Sequence, residues 1–281
     1  MLFFHEKRIV MSNALCISGH ARGFERTVDN QNKHLIEIND CDIFIYTSNL
    51  VSQRNSGNIK LKPEYNHIGE IYERKDPKGN VNGIMYNVDP LELEQRIRKV
   101  YGKRLKHIEI EDESIGENIS LGYKISNIHA AGRIGKPFAW IKKTFEKTYK
   151  CNELFKEYCK KNQKSYDSII RSRTDLQFKH SIKIDSTGEQ YGNKIIAFGG
   201  WDPRGAHSEN GYKNYFFDGF AISNFENMNT YCNFYREAEE DFSWANGLEP
   251  QLHAYLEKNN LNYVSIGRTT HKSQRAYTIV R

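Results

Sequence analysis

The sequence predicts an α/β fold, a mostly parallel central sheet flanked by helices. Two observations carry this expectation. Residues 14–18 and 41–47 are short, continuously apolar runs, as expected of strands whose two faces are both covered. A loop and a polar helix-like stretch lie between them, and strand, loop, helix, strand over this span is a βαβ unit with a right-handed crossover.

Each element follows in chain order. The first run ends in Ser18-Gly19-His20-Ala21-Arg22-Gly23, a glycine-containing turn, before a predicted helix over 24–38. The second strand is 41–47. Residues 51–87 are polar with scattered Gly, Asn and Pro and no sustained period, so they read as an irregular surface excursion, a candidate lid. Pro90 opens a helix through 101 with Asp89 as its N-cap. Residues 106–110 alternate as a third strand, and 112–135 are glycine-rich and undefined. From Pro137, Phe138, Ile141, Phe145, Tyr149, Asn152, Phe155 and Cys159 recur at helical spacing, widened by Leu154 and Tyr158. The strand 168–172 follows directly. Strands are predicted at 194–198, 214–222 and 263–266, and helices at 225–238 and 250–258. A turn-rich loop spans 199–213. With no internal repeat or low-complexity linker, one domain over 1–281 is expected.

Composition narrows the function classes. The 281 residues carry a formal charge of +6, with 38% hydrophobic and 27% charged residues. That charge is too small to imply nucleic-acid binding without a concentrated patch. The pairs Lys142-Lys143 and Lys160-Lys161 fall within the long helix and read as a solvated face. Seventeen Tyr and fifteen Phe suit both a core and stacking platforms for sugars or bases, with the core expected to take most of them. Five cysteines without a C-x-x-C pair argue against a zinc site or a disulfide framework and for a reducing compartment. No apolar stretch approaches the ~20 residues of a membrane span. The charged start is unlike a signal peptide, and Met11 is an alternative start, so the expected location is cytoplasmic.

The residues 169–176, Ile-Ile-Arg-Ser-Arg-Thr-Asp-Leu, carry the most chemistry. A buried strand there delivers Arg171, Arg173 and Asp175 to its carboxyl end, where open α/β sheets bind ligands. A carboxylate at that place can hold a divalent cation against a diphosphate, and arginines are bidentate phosphate donors. A structural Arg–Asp ion pair accounts for the same residues equally well. Ser18, Gly19 and Arg22 in the first loop are candidates for close approach to a nucleotide, although the spacing is neither a Walker loop nor G-x-G-x-x-G. Glu249, just before Pro250, and Asp218, before Gly219, compete as a general base. A helix-capping role accounts for Glu249 as well. The loop with Trp201, Asp202 and Arg204 is a candidate acceptor platform, and His271 a candidate metal ligand.

Taken in order, the residues 14–22, the Arg-x-Arg-x-Asp-Leu run at 171–176, Asp218-Gly219-Phe220-Ala221-Ile222 and Glu249-Pro250-Gln251 resemble GT-A-like nucleotide-sugar glycosyltransferases. More narrowly, the pattern is similar to poorly characterised bacterial and large-virus proteins of surface-glycan loci. The resemblance implies a Rossmann-like GT-A fold, with 14–180 on the nucleotide side and 181–281 on the acceptor side. It also implies a UDP- or GDP-sugar donor, a glycan acceptor, and Mn²⁺ or Mg²⁺ held by Asp175 as the last acid of a D-x-D element. Position 173, where that element has its other acid, carries Arg173. The arginines are therefore an alternative to the cation for neutralising the diphosphate. A sulfotransferase and a non-catalytic nucleotide- or glycan-binding module are the rival readings.

Overall fold

The computed structural model describes residues 12–21, 24–54, 67–75, 81–113, 138–184, 188–199, 216–237, 248–266 and 277–279. The first half forms β1 (Asn13–Ser18), α1 (Phe24–Gln31), a π-helical turn (Asn32–Ile36), β2 (Cys41–Ser48), β3 (Leu50–Arg54), β4 (His67–Lys75), β5 (Val81–Val88), α2 (Pro90–Tyr101) and β6 (Leu105–Glu111). Next come α3 (Phe138–Asn162), β7 (Ser168–Ser172), β8 (Leu176–Phe178), β9 (Lys194–Gly199) and β10 (Phe216–Ser223). The rest is α4 (Phe225–Glu237), α5 (Leu248–Lys258), β11 (Asn262–Ile266) and β12 (Tyr277–Ile279).

Seven strands make one sheet in the order β11-β9-β10-β7-β1-β2-β6. All neighbours in it are parallel except β10, which runs against both β7 and β9. The expected α/β class and mostly parallel sheet are thus present. The unalternating apolar runs have a direct cause, because successive side chains enter two separate cores. Leu15, Ile17, Ile43, Ile45 and Ile170 enter one core with Phe24, Leu93 and Ile97 of α1 and α2. Ala14, Cys16, Phe44, Tyr46 and Ile169 enter the other with Phe145, Phe155, Tyr231 and Leu252 of α3, α4 and α5. The small side chains of Ala14 and Cys16 let α3 approach closely enough for the Cys151 thiol to reach the carbonyls of Ile17 and Phe44 at 3.6 and 3.7 Å.

Many of the aromatic residues serve these cores. Phe44 meets Phe155, Tyr158 and Tyr166 edge-on, and Phe198 stacks on Phe220 at 4.5 Å between centroids. All five cysteines are free, and four of them are buried. Burial pushes the Cys41 thiol up to about 12, which makes it an inert hydrophobe. Among the described residues no helix is long and apolar enough to cross a membrane.

Three expectations need correction, and one strand pair is new. The excursion over 51–87 contains a second, three-stranded antiparallel sheet, β3-β5-β4. Among the described side chains, β5 buries the alternate residues Ile84, Tyr86 and Val88, while Ile68 of β4 stays exposed, so the period is weak in the sequence. The helix expected over 24–38 is α-helical only to Gln31 and then widens. That wider turn accommodates two successive fully buried residues, Leu35 and Ile36. The pair β8–β12 was not foreseen, since three-residue strands carry no readable period. Finally, α5 starts at Leu248, so Glu249 lies inside the first turn rather than ahead of it.

Candidate functional site

From β1 the chain steps outward through β2 to β6, then returns to the other side of β1 as β7. The sheet's winding reverses between β1 and β7, and α/β sheets place ligands in the crevice beyond the carboxyl ends at such a point. Ser18, Gly19 and His20 leave β1 there, and Arg173, Thr174 and Asp175 leave β7. The two exits are tied together. Thr174 Oγ1 donates to the His20 carbonyl at 2.7 Å, and Thr27 Oγ1 of α1 donates to the Thr174 carbonyl at 2.5 Å. Gln31 Nε2 donates to the carbonyls of both Arg173 (3.0 Å) and Leu176 (2.9 Å). Gly19 has φ +123° and nothing within 4 Å of where a Cβ would stand. Glycine is needed here for its backbone, and no described residue fills the space a Cβ would take.

The two arginines have different surroundings. Arg173 makes a bidentate pair with Asp175, Nε to Oδ1 at 2.9 Å and Nη2 to Oδ2 at 2.7 Å. The Asp175 side chain is only 2% exposed against 21% for Arg173, so the acid is enclosed and the cation partly reaches the surface. Arg171, 3% exposed, points into the core under α3. It donates to Thr148 Oγ1 from Nε and Nη2, at 3.3 and 3.1 Å, and to the Asp218 carbonyl from Nη1. The rings of Phe145 and Tyr231 lie 5.7 and 6.0 Å from its guanidinium carbon. Among the described residues no carboxylate pairs with it. Ser18 Oγ lies 3.1 Å from Thr148 Oγ1, and Tyr231 donates to the same Asp218 carbonyl at 3.0 Å. Arg171 thereby links the ends of β1, β7 and β10 through α3.

Sequence reasoning missed a charged cluster beside this crevice. Lys147 of α3, 5% exposed, sits 2.8 Å from Glu113 and 3.4 Å from Glu111. The contact with Glu113 is ionic without the alignment of a hydrogen bond. His20 Nδ1 lies 3.8 Å from Glu113 and 3.4 Å from the Leu50 carbonyl. Glu111 also accepts from the Tyr46 hydroxyl (2.9 Å) and Lys150 (3.2 Å). Burial pushes the Glu111 carboxyl upward, but Lys147, Tyr46 and Lys150 outweigh it and hold the group below its usual value. The available signal was the acidic run Glu109-Ile110-Glu111-Asp112-Glu113 at a strand end. The solvated face expected of Lys160 and Lys161 is present, since both are exposed, while the side chains of Lys142 and Lys143 lie outside the described residues.

Asp218, 6% exposed, lies near the start of the reversed strand β10, three residues before Ala221, the partner of Arg171. It is therefore at the same edge as Asp175. α5 leads back to the start of β11, which places its first turn, with Glu249, at the carboxyl edge as well; the Glu249 side chain lies outside the described residues. So do Arg22, His271 and the loop with Trp201, Asp202 and Arg204. A cavity of about 700 Å³ lined by Glu153, Lys156, Cys159, Lys164, Tyr166 and Phe225 is at the opposite, amino edge, away from these groups.

A divalent cation does not fit the residues as they stand. Both Asp175 oxygens are taken by Arg173, position 173 is itself a cation, and among the described residues no group of three His, Cys, Asp or Glu is gathered to hold a metal. In comparison with known proteins, the chain matches no protein-family model and no curated protein.

Proposed function

We propose that this chain is a GT-A-like glycosyltransferase, moving a sugar from a nucleotide diphosphate sugar, a UDP- or GDP-sugar, to a hydroxyl of a glycan acceptor. The observation that carries the reading is the meeting of the β1 and β7 exits at the switch point of the sheet, with Ser18, Gly19, Arg173 and Asp175 together. A parallel sheet interrupted by one reversed strand beside the strand that bears the acid also supports a GT-A-like arrangement. In this reading the nucleotide lies over Gly19 and the arginine side takes the diphosphate.

The reaction is attack of an acceptor hydroxyl on the anomeric carbon, with the sugar–phosphate bond breaking and the nucleotide diphosphate leaving. Asp218 or Glu249 takes the hydroxyl proton, and cationic groups beside the departing oxygens stabilise the charge that develops there. One observation favours a second reading. Asp175 is fully engaged in its pair with Arg173, as suits a nucleotide- or glycan-binding module that does not turn over.

A thermal-shift series with UDP, GDP, CMP and PAP, each with and without Mn²⁺ or Mg²⁺, tests the donor site. Ligand at a hundred times its dissociation constant stabilises by about 2.7 kcal/mol. Stabilisation by UDP or GDP supports the proposal and names the nucleotide, while a response to PAP alone transfers the case to a sulfotransferase. No response to any of them sinks it. Release of free UDP or GDP from the matching sugar nucleotide then separates catalyst from binder.

A further inference from the structure

We infer that the diphosphate is neutralised by the Arg173 guanidinium, with Asp175 as its positioning carboxylate, and without a divalent cation. The inference rests on the donor site proposed above. The Arg173–Asp175 pair is asymmetric: its acid is enclosed and its cation is partly exposed at the strand exit. A cation bound through Asp175 would have to displace a two-point hydrogen bond and then sit against a guanidinium, where like charges repel. The pair has the opposite use. Two-point bonding fixes the plane of the guanidinium, and Gln31 fixes the backbone beneath it through the Arg173 carbonyl. A fixed guanidinium fork matches phosphate oxygens. Arg171 adds a second positive charge to the same strand end, and no carboxylate among the described residues cancels it. The side chains of Arg171, Arg173 and Asp175 by themselves sum to one positive charge.

Isothermal titration of the full chain with UDP, GDP and inorganic pyrophosphate, in EDTA and in Mn²⁺, tests this. The expected result is binding in EDTA that Mn²⁺ changes by less than about threefold, and that Arg173→Lys weakens by about tenfold, because lysine keeps the charge and loses the fork. Asp175→Ala weakens EDTA binding by about tenfold, and Asp175→Asn, which still offers the guanidinium an oxygen, restores it to within about threefold. Loss of Arg173 alone leaves Asp175 buried without its counter-ion, so the double variant Arg173→Met/Asp175→Asn, which removes both charges, serves as the folded control. Circular dichroism and melting show that it is folded, and it is expected to lose binding. Binding of UDP or GDP that requires Mn²⁺ or Mg²⁺ overturns the inference and leaves the donor site standing. So does wild-type affinity in the double variant. Absence of binding in both buffers overturns the inference together with the donor site itself.

Discussion

Lys147 illustrates how single residues here depend on their neighbours. Its ammonium and the Glu113 carboxylate are both almost fully enclosed, 2.8 Å apart. Removing one partner of such a pair strands the other, at a cost of about 3–5 kcal/mol, whereas removing both is often close to neutral. Lys147→Met is expected to lose that amount in urea denaturation, and Lys147→Met/Glu113→Gln to recover most of it. A loss below about 1 kcal/mol for the single variant, the size of an exposed pair, would show that the cluster is hydrated. At Gly19 the constraint is conformational. A Cβ would meet nothing, but φ +123° is a region that L-residues avoid, so Gly19→Ala is expected to cost about 1–3 kcal/mol despite the open space. An unchanged melting temperature would contradict this. The candidate segment 169–176 was legible because two arginines and an acid stand together at a strand end. Their division of labour was not, since Arg171 lies within β7 and Arg173 just beyond its end, and what packs around each depends on distant parts of the chain.

The elements carry the acid response and the helix starts. Glu111 ends β6, and its carboxyl is held below the ordinary value by Lys147, Tyr46 and Lys150 against the upward push of burial. A depressed folded value means that the unfolded chain binds the proton more readily. The stability this contributes is full above the unfolded carboxyl value of about 4.3 and is lost as pH falls through the lowered folded value. Glu111→Gln is therefore expected to lower the melting temperature more at about pH 7 than at about pH 3. A gap independent of pH would rule out this linkage. At the start of α2, Asp89 Oδ1 accepts from the Leu91 amide at 2.8 Å, the cap expected from the sequence. Asp89→Ala is predicted to cost about 1 kcal/mol in denaturant unfolding. Caps and prolines are local signals and were readable. The sheet β3-β5-β4 was not, because its strands gain stability from pairing, which no local period in the sequence displays.

For the molecule as a whole, the arrangement separates the edge that carries the proposed donor site from the opposite one. The carboxyl edge holds Gly19, His20, Arg173, Asp175 and Asp218, whereas at the amino edge Lys164 and Tyr166 both contact Asp42. Ligand binding at the switch point should slow amide exchange at residues 18–20 and 173–176 and leave residues 41–43 unchanged. Hydrogen-exchange mass spectrometry with saturating UDP or GDP measures this, and protection confined to the amino edge would move the site to the cavity beside α3.

By itself the sequence determined the α/β class, the existence of the strands β1, β2, β6, β7, β9, β10 and β11, the long helix α3 and the place of the arginine–aspartate segment. Those features follow from local periodicity and from the demand that a strand covered on both faces be apolar throughout. Only the tertiary structure decided the strand order, the reversal of β10, the enclosure of Lys147 between two acids and the capture of both Asp175 oxygens by Arg173. These depend on which surfaces meet across long separations in the chain, and burial then fixes which charges must be paired.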